Sequence, residues 1–205
     1  MRQDIRVAVR RIVLIVVAVY LPFLAIHALC LTGRGWNIAG VELFLLAPVG
    51  ALLILPFALV SLAFERQRAK AAFFAFMSIA LLASFVPMVK TAAAVRSHGF
   101  LIASERAVPL LSAIERYQRD EGSPPHLLAH LVPRYLAKIP SGLPPVEIIT
   151  GDEARQVYRG NEWVLRANVP TGVINWDEFL YFPNLDYRDY GGSIERIGDW
   201  AYYHE

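Results

Sequence analysis

Three long apolar stretches fill the first 90 residues of the chain, and no comparable stretch follows them. They are Ile12–Thr32, Val41–Phe64 and Ala71–Val89. Each contains about the 20 residues that a helix needs to cross the hydrocarbon core of a bilayer. The hydrophobic pattern therefore predicts an anchor of three transmembrane helices over residues 1–90 and a single water-soluble domain over residues 91–205.

The first part of that domain has a helical pattern. In Ser104–Glu121 the apolar residues recur every three or four positions and charges occupy the other faces, which predicts an amphipathic helix. We expect a break at residues 97–99, so that Pro109 lies in the first turn of a new helix. Gly122 supplies the stop. The predicted buried stripe is Val108, Leu111, Ile114 and Tyr117.

After a short helix predicted at His126–Leu131, the pattern becomes strand-like beyond Pro145. Short segments rich in β-branched and aromatic residues alternate with turn residues. We therefore expect an α+β domain in which one long helix packs on a small antiparallel sheet. The predicted strands are Val146–Ile149, Gln156–Tyr158, Glu162–Ala167, Glu178–Phe182, Ile194–Ile197 and Trp200–Tyr203, with turns at Gly151, Gly160, 171–172, 183–184 and 191–192.

The basic residues orient the anchor. Four arginines precede the first apolar stretch, and Arg66, Arg68 and Lys70 lie between the second and third, whereas Arg34 alone lies between the first and second. Because Lys and Arg in short loops stay on the cytoplasmic side, the N-terminus is predicted to be cytoplasmic and the C-terminal domain to be outside. A cleaved signal peptide fits poorly, because the first stretch is long and two more follow.

Composition excludes several classes of protein. Hydrophobic residues make up 56% of the chain and the mean hydropathy is +0.40, as expected for a membrane protein. The net charge is only +2, and basic residues beyond Arg106 alternate with acids, so no nucleic-acid partner is predicted. Cys30 is the single cysteine and cannot form an intramolecular disulfide; we expect it to pack as a small apolar residue.

Catalytic and metal-binding motifs are scarce. His126 and His130 are four residues apart and would share a helix face, but they lack the glutamate of a metalloprotease motif. The pairs Glu115–Asp120 and Asp177–Glu178 are candidate acids of a glycosidase, with helix surface and turn as the simpler interpretations. In the apolar stretches, His27 is the ionisable group that comes closest to the middle of a span, and it lies towards the outer half. We therefore predict no enzyme activity, no cofactor and no metal site.

Aromatic residues are concentrated between Trp163 and Tyr203. Some must form the core, and others are suited to an interface, where Tyr and Trp are enriched. We predict that Trp176, Tyr187, Tyr190 and Tyr203 bind a protein partner. The helix face around Arg106, Glu115 and Arg119 is the alternative contact surface.

Two segments carry a resemblance to a known family. Residues 111–125, LSAIERYQRDEGSPP, and residues 131–140, LVPRYLAKIP, resemble the soluble domain of type II secretion pseudopilins, in which such a helix leads to a "LVPxYLxxIP" segment and a small sheet. Ser123-Pro124 stands where the family usually has Tyr-Pro. Pseudopilins have one N-terminal hydrophobic helix, whereas this chain has three apolar stretches. The resemblance therefore implies a borrowed domain and not a filament subunit.

That resemblance bears on ligands and location. The major member of the family binds calcium near its C-terminus, and Asp177, Glu178, Asp186 and Asp189 are oxygen donors in the comparable region. Their spacing is not that of an EF-hand, so solvated turn carboxylates are predicted, with a calcium site as the alternative. The implied location is the bacterial inner (cytoplasmic) membrane, with the C-terminal domain in the periplasm.

The function predicted from sequence is a non-catalytic subunit of a bacterial envelope complex. Its partners would be the lipid bilayer and a protein or membrane complex. The alternatives are a small transporter or channel component, which the few polar residues in the apolar stretches disfavour, and an envelope enzyme whose site has no familiar motif.

Overall fold

The computed structural model describes residues 2–38, 40–172, 175–188, 190 and 193–204, of Arg2 only the backbone. Asp189 and the predicted turn at 191–192 lie outside these residues. The described chain forms two compact units. The helical unit comprises Met1–His27 and Gly40–Ala94, and the α+β unit comprises Ala28–Ala39 and Val95–Glu205. The sequence pattern predicted a boundary near residue 90, but it did not predict that residues 28–39 belong to the same unit as the C-terminal residues.

Three helical stretches are long and apolar enough to cross a membrane, judged by length and composition in the described part of the chain: Gln3–Thr32, Val41–Ser61 and Arg68–Glu121. The helices themselves are α1 (Arg2–Ala28), α2 (Leu46–Ser61) and α3 (Arg68–Glu121). Leu29–Thr32 and Val41–Leu45 are short 3-10 helices.

Inside the helical unit, Tyr20, Ala51 and Leu81 form a small buried cluster. The Tyr20 hydroxyl donates a hydrogen bond of 2.8 Å to the carbonyl of Leu81. His27 is buried, and its Nδ1 lies 2.8 Å from the carbonyl of Phe23, one turn earlier on α1. The His27 ring therefore bonds its own helix, and the ring of Phe23 packs against it at 4.4 Å.

Helix α3 runs without interruption through the predicted break at residues 97–99, so that expectation is wrong. Pro109 consequently lies in the helix interior. Val108 is exposed, because the buried face is displaced from the predicted stripe and is built largely from small residues that allow close packing. That face consists of Phe100, Ala103, Ala107, Leu110, Ala113 and Ile114. Helix α3 ends at Glu121, and Gly122 follows with φ +76°, as predicted from its position.

The sheet contains five strands: β1 (Val146–Thr150), β2 (Trp163–Asn168), β3 (Glu178–Tyr181), β4 (Ser193–Ile197) and β5 (Trp200–His204). Their order is β1-β2-β3-β5-β4, and all neighbours are antiparallel. A small antiparallel sheet was predicted and is confirmed. The strand predicted at Gln156–Tyr158 is wrong, because Gly151–Val157 forms helix α4, whose first turn carries Asp152 and Glu153, which favour a helix N-terminus.

Both faces of the sheet are covered. On one face, Trp163, Leu165, Phe179 and Trp200 form a core with the small-residue face of α3. On the other face, Val164, Leu180, Phe182 and Ala201 pack with Ala154 of α4 and with Tyr158 and Tyr187. The predicted short helix at His126–Leu131 is instead a 3-10 helix over Leu128–Leu131.

Residues 28–39 are part of the α+β core. Cys30, Trp36 and Ile38 are buried, and the ring of Trp36 stacks on Phe100 at 5.4 Å. Ile38 forms a parallel bridge with Thr171: its N–H donates to the Pro170 carbonyl, and its own carbonyl accepts from Gly172. This segment therefore adds backbone pairing as well as apolar surface.

Candidate functional site

Trp176 is the one aromatic residue of the α+β unit whose side chain is exposed, among all aromatics that the structure describes there. Its exposed fraction is 66%. The other three predicted contact residues differ: Tyr190 and Tyr203 are half-buried and Tyr187 is buried. The dense aromatic run of the sequence thus forms mainly core, and it leaves one large apolar side chain open to a partner.

Tyr187 corrects the prediction that it is exposed. Its hydroxyl donates to the Asp199 carbonyl at 2.8 Å and accepts from the Phe182 N–H at 2.8 Å. Its ring stacks on Phe182 at 4.5 Å, and the Arg196 guanidinium lies 4.4 Å from the centre of the Tyr187 ring. Burial raises the pKa of Tyr187. This tyrosine fixes the loop after β3, so its replacement tests folding more than binding.

Tyr190 and Tyr203 belong to an aromatic cluster on the α4 side of the sheet. Tyr190 packs on Tyr158 at 5.7 Å and meets Tyr203 edge to face at 5.5 Å. The Tyr190 hydroxyl donates to Glu178 at 3.4 Å, and burial raises the pKa of Tyr190. Only parts of these two rings are available to a partner.

Arg166 occupies the polar edge of the same cluster. Its Nε and Nη2 each lie 2.8 Å from one oxygen of Glu147, and its Nη1 donates to the Tyr158 hydroxyl at 2.8 Å. Glu178 lies 3.8 Å from Arg166 Nε. Because both carboxylates pair with the same guanidinium, this arrangement favours structural ion pairing over general acid catalysis.

The sequence is compatible with Asp177 and Glu178 as paired acids or as solvated turn carboxylates. For Asp177 the structure supports neither of these two roles. Asp177 is 2% exposed, and its carboxylate accepts a hydrogen bond from the Tyr202 hydroxyl. Glu178 points towards Tyr190 and Arg166, on the opposite face of the sheet. Two carboxylates on opposite faces cannot act on one bond.

Asp177 also fixes the backbone next to Trp176. The Asp177 N–H donates to the Asn175 side chain at 2.9 Å, and the Asp177 carbonyl accepts from Val169 at 2.8 Å. Trp176 therefore lies between Asn175, whose side chain closes a tight turn, and Asp177, whose side chain is buried. A large exposed ring on a fixed backbone loses little freedom on binding, which is typical of an interface anchor.

Arg96 is a buried cation that the sequence pattern did not single out as a site residue. It is 4% exposed, and its Nη2 donates to the carbonyls of Trp36 at 2.9 Å and Val169 at 2.5 Å. Its guanidinium lies 5.1 Å from the centre of the Phe100 ring and 6.0 Å from that of Tyr202. The spacing of Arg96 and Phe100, one helical turn apart, was the available signal.

Arg96 joins three parts of the chain. Helix α3 supplies the cation, residues 28–39 supply the Trp36 carbonyl, and the segment after β2 supplies Val169, whose N–H holds Asp177. The turn bearing Trp176 is thus tied to the helix by a short chain of hydrogen bonds. We call Arg96, Asp177 and Tyr202 the buried polar cluster.

The remaining candidate metal ligands are not brought together in the described part of the chain. No group of three or more His, Cys, Asp or Glu side chains in the described ranges could hold a metal ion. Asp186 pairs with Arg188 at 2.9 Å, and these hydrogen bonds lower the pKa of Asp186. His126 precedes the 3-10 helix and contacts Thr150 at 3.2 Å, so the expectation that His126 and His130 share a helix face is wrong.

Comparison with protein-family models, curated proteins and solved structures finds no match to this chain. The resemblance to pseudopilins accordingly rests on the sequence segments quoted above.

Proposed function

We propose that this protein is a membrane-anchored, non-catalytic subunit of a bacterial envelope complex, and that its α+β unit binds a protein partner through Trp176. The observation that carries the proposal is the exposure of this one aromatic ring, next in the chain to the buried Asp177. Trp is among the residue types enriched at binding hot spots, together with Tyr and Arg.

The proposed anchor consists of the three apolar helical stretches, with the N-terminus in the cytoplasm and the α+β unit in the periplasm. The distribution of arginines supports this orientation. A second observation supports the number of crossings and is compatible with either orientation. Residues 28–39 and 95–205 share one core, so they must lie on the same side of the membrane. An even number of crossings must therefore separate them, as α2 and the first part of α3 provide.

The pseudopilin resemblance is compatible with a role in assembly. The segment that resembles "LVPxYLxxIP" lies against the end of α3: Arg116 donates to the Tyr135 carbonyl at 2.7 Å, and the rings of Tyr117 and Tyr135 are 5.2 Å apart. Arg134 pairs with Glu121 at 2.8 Å. We propose that the α+β unit is a pilin-like module carried on a three-helix anchor, which uses its surface for contact and not for filament formation.

Reporter fusions test the orientation. Alkaline phosphatase is active only after export, so we expect activity when it follows residue 205 and no activity when it follows Lys70. A cytoplasmic reporter fused at the same two positions should give the opposite result. Phosphatase activity at Lys70 alone would reverse the proposed topology.

Site-specific photocrosslinking tests the contact. A photoreactive amino acid at position 176 should give one adduct of defined mass in intact cells, and the same amino acid at Leu127, which is 60% exposed in the same unit, should not. Trp176→Ala should weaken capture of that partner by about 30-fold, as expected for a hot spot. Leu127→Ala is the matched control.

Full capture by Trp176→Ala, with the protein still folded, would show that the contact lies elsewhere. The helix face that includes Glu115 and Arg119, both exposed, would then be the next surface to test. Arg106 is less suitable than predicted, because it is half-buried and donates to the Gly142 carbonyl at 3.3 Å.

A further inference from the structure

A groove of about 810 Å³ lies between α2 and α3, entirely inside the helical unit. Its two ends differ in chemistry. Ser61, Arg66 and Lys70 line the end at the α2–α3 hairpin, and Leu53, Phe57 and Phe74 line the part further along the helices. The apolar lining on α2 runs from Leu53 to Ala58, about 7.5 Å at 1.5 Å per residue. The groove therefore has a cationic mouth and an apolar floor.

The cations at the mouth are available to a ligand. Arg66 and Lys70 are exposed, and no ion pair joins either of them to a side chain in the described part of the chain. Arg68, in the same hairpin, is used differently: its Nε donates to the Leu62 carbonyl at 3.2 Å and it does not line the groove. Glu65 is exposed and is likewise absent from the lining. The lining charge is thus positive.

The floor exposes apolar area. Phe57 is 76% exposed and Leu53 is 64% exposed. Apolar side chains beside two cations complement a molecule that has an anionic head and a hydrocarbon tail. Basic pockets of this kind, between membrane helices on the cytoplasmic side, are suited to phospholipid head groups.

A second groove provides a comparison. It has a volume of about 470 Å³, lies between α1 and α3, and is lined by apolar residues such as Val9, Ile12, Phe73 and Phe76, without a cation. Lipid tails can fill such a groove without any preference for the head group. The charge at Arg66 and Lys70 is what distinguishes the α2–α3 groove.

We propose that the α2–α3 groove binds one anionic phospholipid. Its phosphate lies at Arg66 and Lys70, and an acyl chain follows Leu53, Phe57 and Phe74. The inference rests on the proposed membrane anchoring, and it adds a lipid class and a location to it. The expected ligand chemistry is phosphatidylglycerol or another phospholipid with net negative charge.

Native mass spectrometry of the full chain in detergent tests this proposal. We expect the wild type to retain one phosphatidylglycerol at least tenfold more tightly than phosphatidylcholine with the same acyl chains. R66Q/K70Q should lose about 30-fold in affinity for phosphatidylglycerol, since each cation near an anionic head group contributes about fivefold. R66K should bind nearly as the wild type does.

R10Q/R11Q is the matched control, because it removes two exposed cations on the predicted cytoplasmic side without touching the groove. It should keep the preference. Equal binding of the two lipids by the wild type, or equal losses in R66Q/K70Q and R10Q/R11Q, would overturn the site. Glycerol 3-phosphate that binds as tightly as the lipid would assign the cations to a free phosphate instead.

Alkaline carbonate extraction of cell membranes separates the two proposals. A wild-type chain that stays in the membrane but shows no preference for phosphatidylglycerol overturns the lipid site alone. A chain that carbonate releases overturns the anchoring and, with it, the lipid site.

Discussion

The sulfur of Cys30 occupies the space that a side chain at position 99 would need, so residues 28–39 pack directly on the backbone of α3. Cys30 is fully buried there, and its Sγ lies 3.7 Å from the Val95 carbonyl. Gly99 thus marks a close approach between two chain segments, in the interior of a helix where glycine is otherwise unfavourable.

Gly99→Ala should destabilise the protein despite the better helix propensity of alanine. The added methyl group must displace Cys30, and overpacking of this kind costs about 1–3 kcal/mol. Gly50→Ala is the matched control, because a Cβ at this helical glycine meets nothing within 4 Å; it should be neutral or stabilising by up to about 1 kcal/mol. Thermal unfolding in detergent measures both. Cys30→Ala should restore part of the stability of the Gly99→Ala variant, and unchanged stability of Gly99→Ala would contradict this packing.

Tyr202→Phe should lower the free energy of unfolding by about 1–3 kcal/mol, because it removes the hydroxyl that donates to the buried Asp177 carboxylate. Tyr203→Phe, at the next position of β5, is the control and should change stability by less than about 0.5 kcal/mol. Denaturant unfolding followed by Trp fluorescence gives both values. Combining Tyr202→Phe with Asp177→Asn should cost less than the sum of the single changes, and strict additivity would argue against the hydrogen bond.

The stability of the α+β unit should fall steeply above pH 10. Burial raises the pKa of Tyr202 from 10.0 to about 12, with the hydrogen bond to Asp177 adding to the effect and Arg96 opposing it. Since the folded pKa lies above the unfolded value, this contribution to stability is complete below pH 10 and is lost as the pH rises from 10 towards 12. Burial likewise raises the pKa of Tyr158, Tyr181, Tyr187 and Tyr190.

Phenolate absorbance and circular dichroism, recorded together against pH, check this expectation. Most tyrosines of the unit should titrate only as the fold is lost, in one cooperative step above pH 10. Titration of all tyrosines near pH 10 with the fold intact would contradict the burial described here.

A fragment that begins at Ser104 should be much less stable than one that begins at Val95. The sequence pattern placed the start of the domain's first helix near Ser104, but Phe100 is fully buried and packs on Phe179 and Tyr202, each at 4.6 Å. Loss of a buried Phe costs about 3–5 kcal/mol, and the shorter fragment also lacks Arg96. Amide exchange compares the two fragments, and equal protection would remove Phe100 from the essential core.

Local patterns predicted the elements that depend on local chemistry. Alternating and β-branched residues identified Val146–Thr150 and Trp163–Asn168 to within two residues, and Gly122 correctly ended α3. The break at residues 97–99 was wrong because Ser, His and Gly weaken an isolated helix, whereas here tertiary packing of Cys30 on Gly99 favours the helical backbone.

The residues of the buried polar cluster could not be found from sequence, because their burial also depends on tertiary packing. Arg96 and Asp177 are ordinary surface residue types, and each becomes buried only because partners distant in the chain satisfy it. Tyr187 was predicted to be an exposed contact residue, yet it is buried and its hydroxyl donates to the Asp199 carbonyl. Trp176 was among the predicted residues, but only the structure separates it from the buried aromatics around it.

The α+β unit is discontinuous in the chain, and this has a consequence for how the protein is made. Residues 28–39 leave the ribosome long before residues 95–205, with two apolar helical stretches synthesised between them. During that interval Cys30, Trp36 and Ile38 have no core to enter, so their burial must follow the synthesis of the C-terminal strands. Folding of this unit therefore ends when residues 28–39, which are synthesised early, pack against residues 95–205, which are synthesised late. A ribosome stalled before β2 would leave that loop exposed to proteases and chaperones, and completion of the chain would protect it.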